Sequence, residues 1–289
     1  MLTALQLQQQ RRRRALPSLR QQYHEYILQR IEGYKNSLSR RELLELGDAA
    51  ATVMAATDGE QFLLTEVVLT DWVDRLIHRR LRLKPYSRWS KQLRALRQAQ
   101  REPTHWGIDR RCPITRVLPR LEPGDTALVI GNDAAPLAFL LAAYDIEVVF
   151  TGSDMTFVDQ IESRVAEEAL GHYCSTYVAP TGQVPLGLPE RIQIIAIDTA
   201  TLDAETAPRR RQTIEGLMER TAPCGVHLIL PSARALAPDA YLSHYGDWSR
   251  EDAPPEKRRP AKSAGVLLGK PPQVREAPAE PAQSRDVPA

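Results

Sequence analysis

The sequence predicts an α/β chain in which a mostly parallel sheet follows an N-terminal all-helical domain. Between about residues 116 and 270, short apolar runs alternate with stretches of helical spacing, the order of elements that builds a parallel sheet covered on both faces. Before that, apolar residues recur at intervals of three and four, the period of helices with one buried face. Charge changes sign at the same place: residues 1–111 hold 21 Lys plus Arg and 12 Asp plus Glu, a net +9, while the remainder holds 17 and 24, a net −7. The expected organisation is a disordered basic N-terminus over 1–17, a helical domain over 18–111, an α/β domain over 112–270 and a disordered Pro-, Ala- and Glu-rich tail over 271–289.

The first helix is expected over residues 18–38, where Tyr23, Ile27, Ile31, Tyr34 and Leu38 fall on one face. Ser39 followed by Glu42 matches a capping box that opens a second helix, with Leu43, Leu44, Ala50 and Met54 continuing an apolar stripe. A third helix over 60–81 turns Phe62, Leu69, Trp72, Val73, Leu76 and Ile77 inward, with Asp71 spaced to pair with Arg75 and Asp74 with His78. After Lys84-Pro85, a fourth helix over 87–101 sets Lys91, Arg94, Arg97 and Arg101 in a basic stripe. With Trp89 and Trp106 nearby, that stripe is a candidate nucleic-acid or protein contact through phosphate neutralisation and stacking, although most such stripes are solvated surface. The segment 101–107, punctuated by Pro103 and Gly107, reads as a structured linker.

In the second domain, Asp125-Thr-Ala-Leu-Val-Ile-Gly131 reads as a strand ending in a tight turn. The helix that follows has Pro136 in its first turn. Ile146-Glu-Val-Val-Phe150 and a helix over 157–170 form a second unit of the same kind. Residues 173–178, 192–198 and 226–230 are the third, fourth and fifth strands, with a helix over 209–220 between the last two; weaker sixth and seventh strands are expected near 245–250 and 264–270.

Other chemistry is not signalled. Apolar residues make up 43% of the chain and charged residues 26%, ordinary for a soluble protein, and no apolar run approaches a membrane span. Cys112, Cys174 and Cys224 are widely spaced and odd in number, which argues for a reducing cytoplasm rather than a disulfide framework. No secretory core segment follows the Arg11 to Arg14 cluster. The six histidines show no metal-ligand spacing, and there is no phosphate-binding GxxxxGK loop, nucleophile elbow or HExxH helix.

The element order, with Val129-Ile-Gly131-Asn132 after the first strand and Val149-Phe-Thr-Gly-Ser-Asp154 around the second, resembles class I S-adenosylmethionine-dependent methyltransferases over about half of the chain. The resemblance implies a Rossmann-like methyltransferase sheet and an S-adenosylmethionine site. Gly131 and Asn132 would lie in its cofactor loop, Asp154 would be its ribose ligand, and Asp198, at the end of the fourth strand, a further cofactor- or substrate-facing acid. The sequence departs from the family where Asn132-Asp-Ala-Ala-Pro136 replaces further glycines and where the fourth strand lacks an Asn-Pro-Pro-aromatic signature. The side chains of Asn132, Asp133 and Ala134 would narrow the approach to the backbone. Two readings follow: a methyltransferase acting on an unidentified acceptor, or a catalytically silent scaffold of the same fold that binds protein or nucleic acid. A dehydrogenase is disfavoured by the missing GxGxxG. Asp154 and Asp198 could instead be helix caps, Gly131 a packing glycine, and Cys224 a small apolar residue at the entrance of the fifth strand.

Overall fold

The computed structural model describes residues 17–58, 66–180, 183, 188, 191–233, 235–251 and 265–272. Most of the two segments expected to be disordered, and Phe62 of the third helix, lie outside these residues. The chain forms two compact units divided between Gln98 and Ala99.

Among the described residues the first unit has four helices, α1 (Leu19–Ser37), α2 (Arg40–Asp58), α3 (Glu66–Arg80) and α4 (Tyr86–Gln100), the last two residues of α4 belonging to the second unit. Ser18 and Gln21 close a capping box at the start of α1. Ser39 and Glu42 close the expected one at α2, each side chain holding the other's backbone N–H. Ile31, Leu46, Ile77 and Leu83 form one small core, with Ile27, Tyr34 and Leu38 against it; Ala50 and Trp72 form another. The stripe on α2 therefore runs through Leu46 and Ala50, whereas Leu43 and Leu44, expected inside, are 39% and 64% exposed. Asp74 pairs with Lys35 of α1 at 2.8 Å instead of serving His78, and Arg75 lies over the Trp72 ring rather than beside Asp71.

The second unit is a seven-stranded sheet in the order β3-β2-β1-β4-β5-β7-β6, with β1 Thr126–Ile130, β2 Glu147–Gly152, β3 Cys174–Val178, β4 Ile192–Asp198, β5 Thr221–Leu230, β6 Ser249–Arg250 and β7 Val266–Gly269. Strands β1 to β5 pair in parallel, while β7 runs antiparallel to both β5 and β6. The mostly parallel, Rossmann-like sheet is as expected; the reversed seventh strand is an addition. Short α5 (Ile114–Val117) precedes β1, and α6 (Ala135–Ala143), α7 (Met155–Glu167), α8 (Thr199–Asp203) and α9 (Ala207–Arg220) connect the strands. Helix α6 is buried almost all round, Leu137 to Ala143 included, as a helix apolar on every face must be.

Residues 99–111, expected in the helical domain, pack within the second unit. Gln100 is fully buried and donates to the backbone and carboxylate of Glu168, both at 2.9 Å. Trp106 stacks on Phe139, its indole N–H bonded to the Gln100 carbonyl and the Arg164 guanidinium over its ring. Trp106 is thus a core residue, closed to base stacking. Cys224 is exposed with φ +61 beside the register shift of β5, so it is not the small apolar packing residue expected at the strand entrance.

Candidate functional site

The chain runs β1, β2, β3 outward on one side and then crosses to place β4 and β5 on the other. The point where β1 and β4 diverge is the switch point at which open α/β sheets bind ligands, beyond the C-terminal ends of the strands. A cavity of about 320 Å³ opens there, at the small end of the range for small-molecule sites. Ile130, Gly131, Asn132 and Asp133 line it from the end of β1, Thr151, Gly152 and Ser153 from β2, and Asp198, Ala200 and Thr201 from β4 and α8. Ala179, Pro180 and Gln183, which follow β3, close one side.

At its floor, Gly131 has φ +96 and ψ 160, a region accessible essentially to glycine alone. A Cβ here would lie closer than 3.0 Å to the Asp198 carboxyl and to Thr201 Oγ1. The room that glycine leaves is therefore filled by the protein's own carboxylate. Asp198 is 1% exposed; its Oδ2 accepts the Asp133 N–H at 2.9 Å and its Oδ1 the Thr201 N–H at 2.7 Å. One carboxylate thus caps α8 and holds the turn that leads into α6, complementing the partial positive charge of helix N-termini. Gly131 N–H is itself bonded to Thr151 O at 3.0 Å, which fixes the loop to the tip of β2.

Of the residues expected in a cofactor site, Gly131, Asn132 and Asp198 meet in this cavity and Asp154 does not line it. Asp154 lies two residues past the end of β2, exposed, and its Oδ1 accepts the N–H groups of Thr156 and Phe157 at 2.8 and 3.4 Å as the N-cap of α7. The tip of β2 is instead Thr151-Gly152, and a Cβ on Gly152 would approach Asn132 Oδ1 to 3.5 Å. Thr201 and Ala200 had no signal in the sequence, because a five-residue helix shows no periodicity. Among the described lining residues there are two carboxylates, Asp133 and Asp198, and no Lys, Arg or His. A phosphate group would find no cation here, and the Asp133 and Thr201 N–H groups that might receive an anion already hold Asp198. The chemistry suits a neutral or cationic ligand.

The candidate contact residues of the basic stripe are divided between two environments. Lys91 and Arg94 are exposed and Arg97 is half-buried on α4. Arg101 is held in the second unit, its Nε donating to Ala143 O, its guanidinium pairing with Asp145 at 2.9 Å and lying over the Tyr144 ring. No cluster of three or more potential metal ligands exists among the described residues. Away from the cavity, Thr221, His227 and Tyr245 form a buried chain. Because the Thr221 hydroxyl donates to Leu217 O, the bonding order makes His227 Nε2–H the donor to Thr221 and Tyr245 the donor to Nδ1. Burial, and then the nearby Lys270 ammonium, push the His227 pKa down to about 3.

No family model matches the sequence, and no curated protein matches it. Solved structures similar to this chain include an rRNA methylase from Streptococcus thermophilus, at 13% identity and TM-score 0.42, covering 54% of this chain and 93% of that one. The N-methyltransferase NodS from Bradyrhizobium japonicum follows at 15% and 0.43, covering 55% and 92%. The CurJ carbon methyltransferase matches at 14% and 0.42, with this chain spanning about half of it, 52%. The strand order of the second unit's own sheet, with five parallel strands and a reversed β7, is that of a Rossmann-like, methyltransferase-like fold.

Proposed function

We propose that this chain is a methyltransferase-like protein that binds S-adenosylmethionine in the cavity at the ends of β1, β2 and β4, and transfers methyl to an acceptor yet to be identified. The observation that carries the reading is the cavity's position at the switch point of the sheet, combined with a lining that has carboxylates and no cation. The residues suit the cationic part of such a ligand: its ammonium and sulfonium centres would lie near the carboxylates of Asp133 and Asp198, its single carboxylate would have to take neutral donors such as the Asn132 amide, and a dinucleotide's phosphates would meet no counter-charge. Bound there, the cofactor would supply an electrophilic methyl group. The chain's part would be positioning, with Asn132 and Ser153 at the rim offering hydrogen bonds and the Gly131 turn held rigid by Asp198. The three free cysteines support a reducing cytoplasm as its compartment.

A second reading, a catalytically silent scaffold, draws on the same floor: the Asp198 carboxylate is already engaged by two backbone donors, and Asn132 and Asp133 stand where the family's glycines would leave the backbone bare. Titration calorimetry with S-adenosylmethionine and S-adenosylhomocysteine decides between them. The expected result is binding by the wild-type chain and at least a tenfold weaker affinity in Ala200→Trp, since Ala200 is exposed on the lining and an indole there occupies the cavity without disturbing the core. Absence of heat from the wild type would refute cofactor binding and favour the scaffold. Equal affinity in the variant would place the ligand elsewhere.

A further inference from the structure

We propose that the helical unit carries a nucleic-acid interface, formed by the C-terminal end of α3, the turn after it and the outer face of α4, which takes the phosphodiester backbone. Residues 75–101 contain ten Lys or Arg and no Asp or Glu, more than a quarter of the chain's 38 basic residues in fewer than a tenth of its positions. The structure shows which of them are available. Arg79, Arg80, Arg82, Arg88, Lys91 and Arg94 are all exposed. Among the described residues, no carboxylate is within ion-pair distance of these six, although the same unit pairs Lys35 with Glu32 and Asp74, and Arg41 with Glu45.

The arrangement on α4 is ordered. Arg88, Lys91 and Arg94 recur every third residue, about 4.5 Å apart along the axis, with Lys91, the middle one, nearly opposite the buried Leu93. The helix is thus anchored by one face and offers a row of cations on the other. Its N-terminal end is fixed by packed rings: Trp89 lies 5.2 Å from Tyr23 and 5.9 Å from Tyr26, and Tyr86 lies 5.4 Å from Tyr23. The Tyr23 hydroxyl bonds the Lys84 carbonyl at 2.9 Å. Anchoring fixes the backbone that carries the row, so binding need order only the side chains. The row also fits a polyanion better than a membrane surface. Among the described residues, the unit's exposed large apolar side chains, Leu28, Leu43 and Leu44, lie on α1 and α2, and an interfacial helix needs an apolar face beside its cations. The inference does not depend on cofactor binding by the other unit.

The test is fluorescence anisotropy of the full chain with a labelled 20-nucleotide single-stranded RNA and a labelled 20-base-pair DNA duplex, from 50 to 200 mM KCl. The expected result is binding to at least one, weakening steeply with salt. Arg88→Glu/Lys91→Glu/Arg94→Glu should bind at least tenfold more weakly, with the slope of log affinity against log salt reduced by about 2 for the single strand or about 3 for the duplex. A control with the same change in net charge, Arg191→Glu/Arg209→Glu/Arg211→Glu on the α/β unit, should retain affinity within about threefold. If the glutamate variant loses helix content by circular dichroism, the glutamine triple variant takes its place, with the same direction of effect. No binding at 50 mM KCl, equal loss in the control, or binding to phosphatidylserine vesicles in place of nucleic acid would each overturn the proposal.

Discussion

Replacing Gly131 by alanine tests the floor of the cavity, and the cost can be worked from the geometry. Alanine at φ +96, ψ 160 is strained by about 1–3 kcal/mol. Its methyl group also overlaps the Asp198 carboxyl and Thr201 Oγ1, so the carboxylate must leave. It then gives up two bonds from backbone N–H groups, each contributing about 1.5–3 kcal/mol as hydrogen bonds to a charged group. The expected destabilisation is at least about 4 kcal/mol. In an Asp198→Ala/Thr201→Ala background both of these overlaps are gone and the backbone strain remains, so the same substitution should cost about 1–3 kcal/mol. The coupling between position 131 and that pair is then about 3 kcal/mol, large for a mutant cycle. Urea denaturation should be followed by tryptophan emission in a Trp72→Phe/Trp89→Phe background, so that Trp106 and Trp248 report the α/β unit alone. Equal cost of Gly131→Ala in both backgrounds would refute the account of the floor.

Two other outcomes are expected. Asp154→Ala should cost about 1 kcal/mol, the loss of an N-cap, and leave S-adenosylmethionine affinity unchanged; a tenfold loss by calorimetry would return Asp154 to the ligand. His227, whose pKa is about 3 in the fold and about 6.5 in the unfolded chain, contributes stability that is fully present above pH 6.5. That stability is lost as pH falls toward 3, because only the unfolded chain takes the proton. Wild type should therefore lose about 1.4 kcal/mol per pH unit more than His227→Gln between pH 6 and 4.5 in urea melts, and parallel curves would contradict the burial of a neutral imidazole.

The parts legible in the sequence are those set by near neighbours along the chain. The Ser39–Glu42 box, the apolar runs of β1, β2 and β4 and the Gly131 turn each declare themselves within a few residues. Periodicity alone does not keep Leu43 and Leu44 out of the stripe that includes Ala50, and only packing against neighbouring helices buries Leu46 and Ala50 and leaves those two exposed. Arg101 looked like a member of the α4 stripe because its partner, Asp145, is 44 positions away. Asp198 was found as an acid at a strand end, but its task depends on Asp133, 65 positions earlier. The antiparallel seventh strand is likewise a matter of pairing, set by β5 and invisible in the composition of Val266–Gly269.

The union of Gly131 with Asp198 also bears on how this chain could have diverged. Two positions 67 residues apart in sequence share one volume, so neither is free to drift alone. A lineage that acquires a side chain at 131 before it loses the carboxylate at 198 passes through an unstable intermediate. One that loses the carboxylate first passes through a weakened but foldable one. Divergent relatives of this chain should therefore fall into two groups, those with glycine at 131 facing an acid at 198 and those with a larger residue facing a small or apolar one. Mixed pairs with both side chains present should be rare, and the historical order of the two changes should be readable from the intermediates that survive.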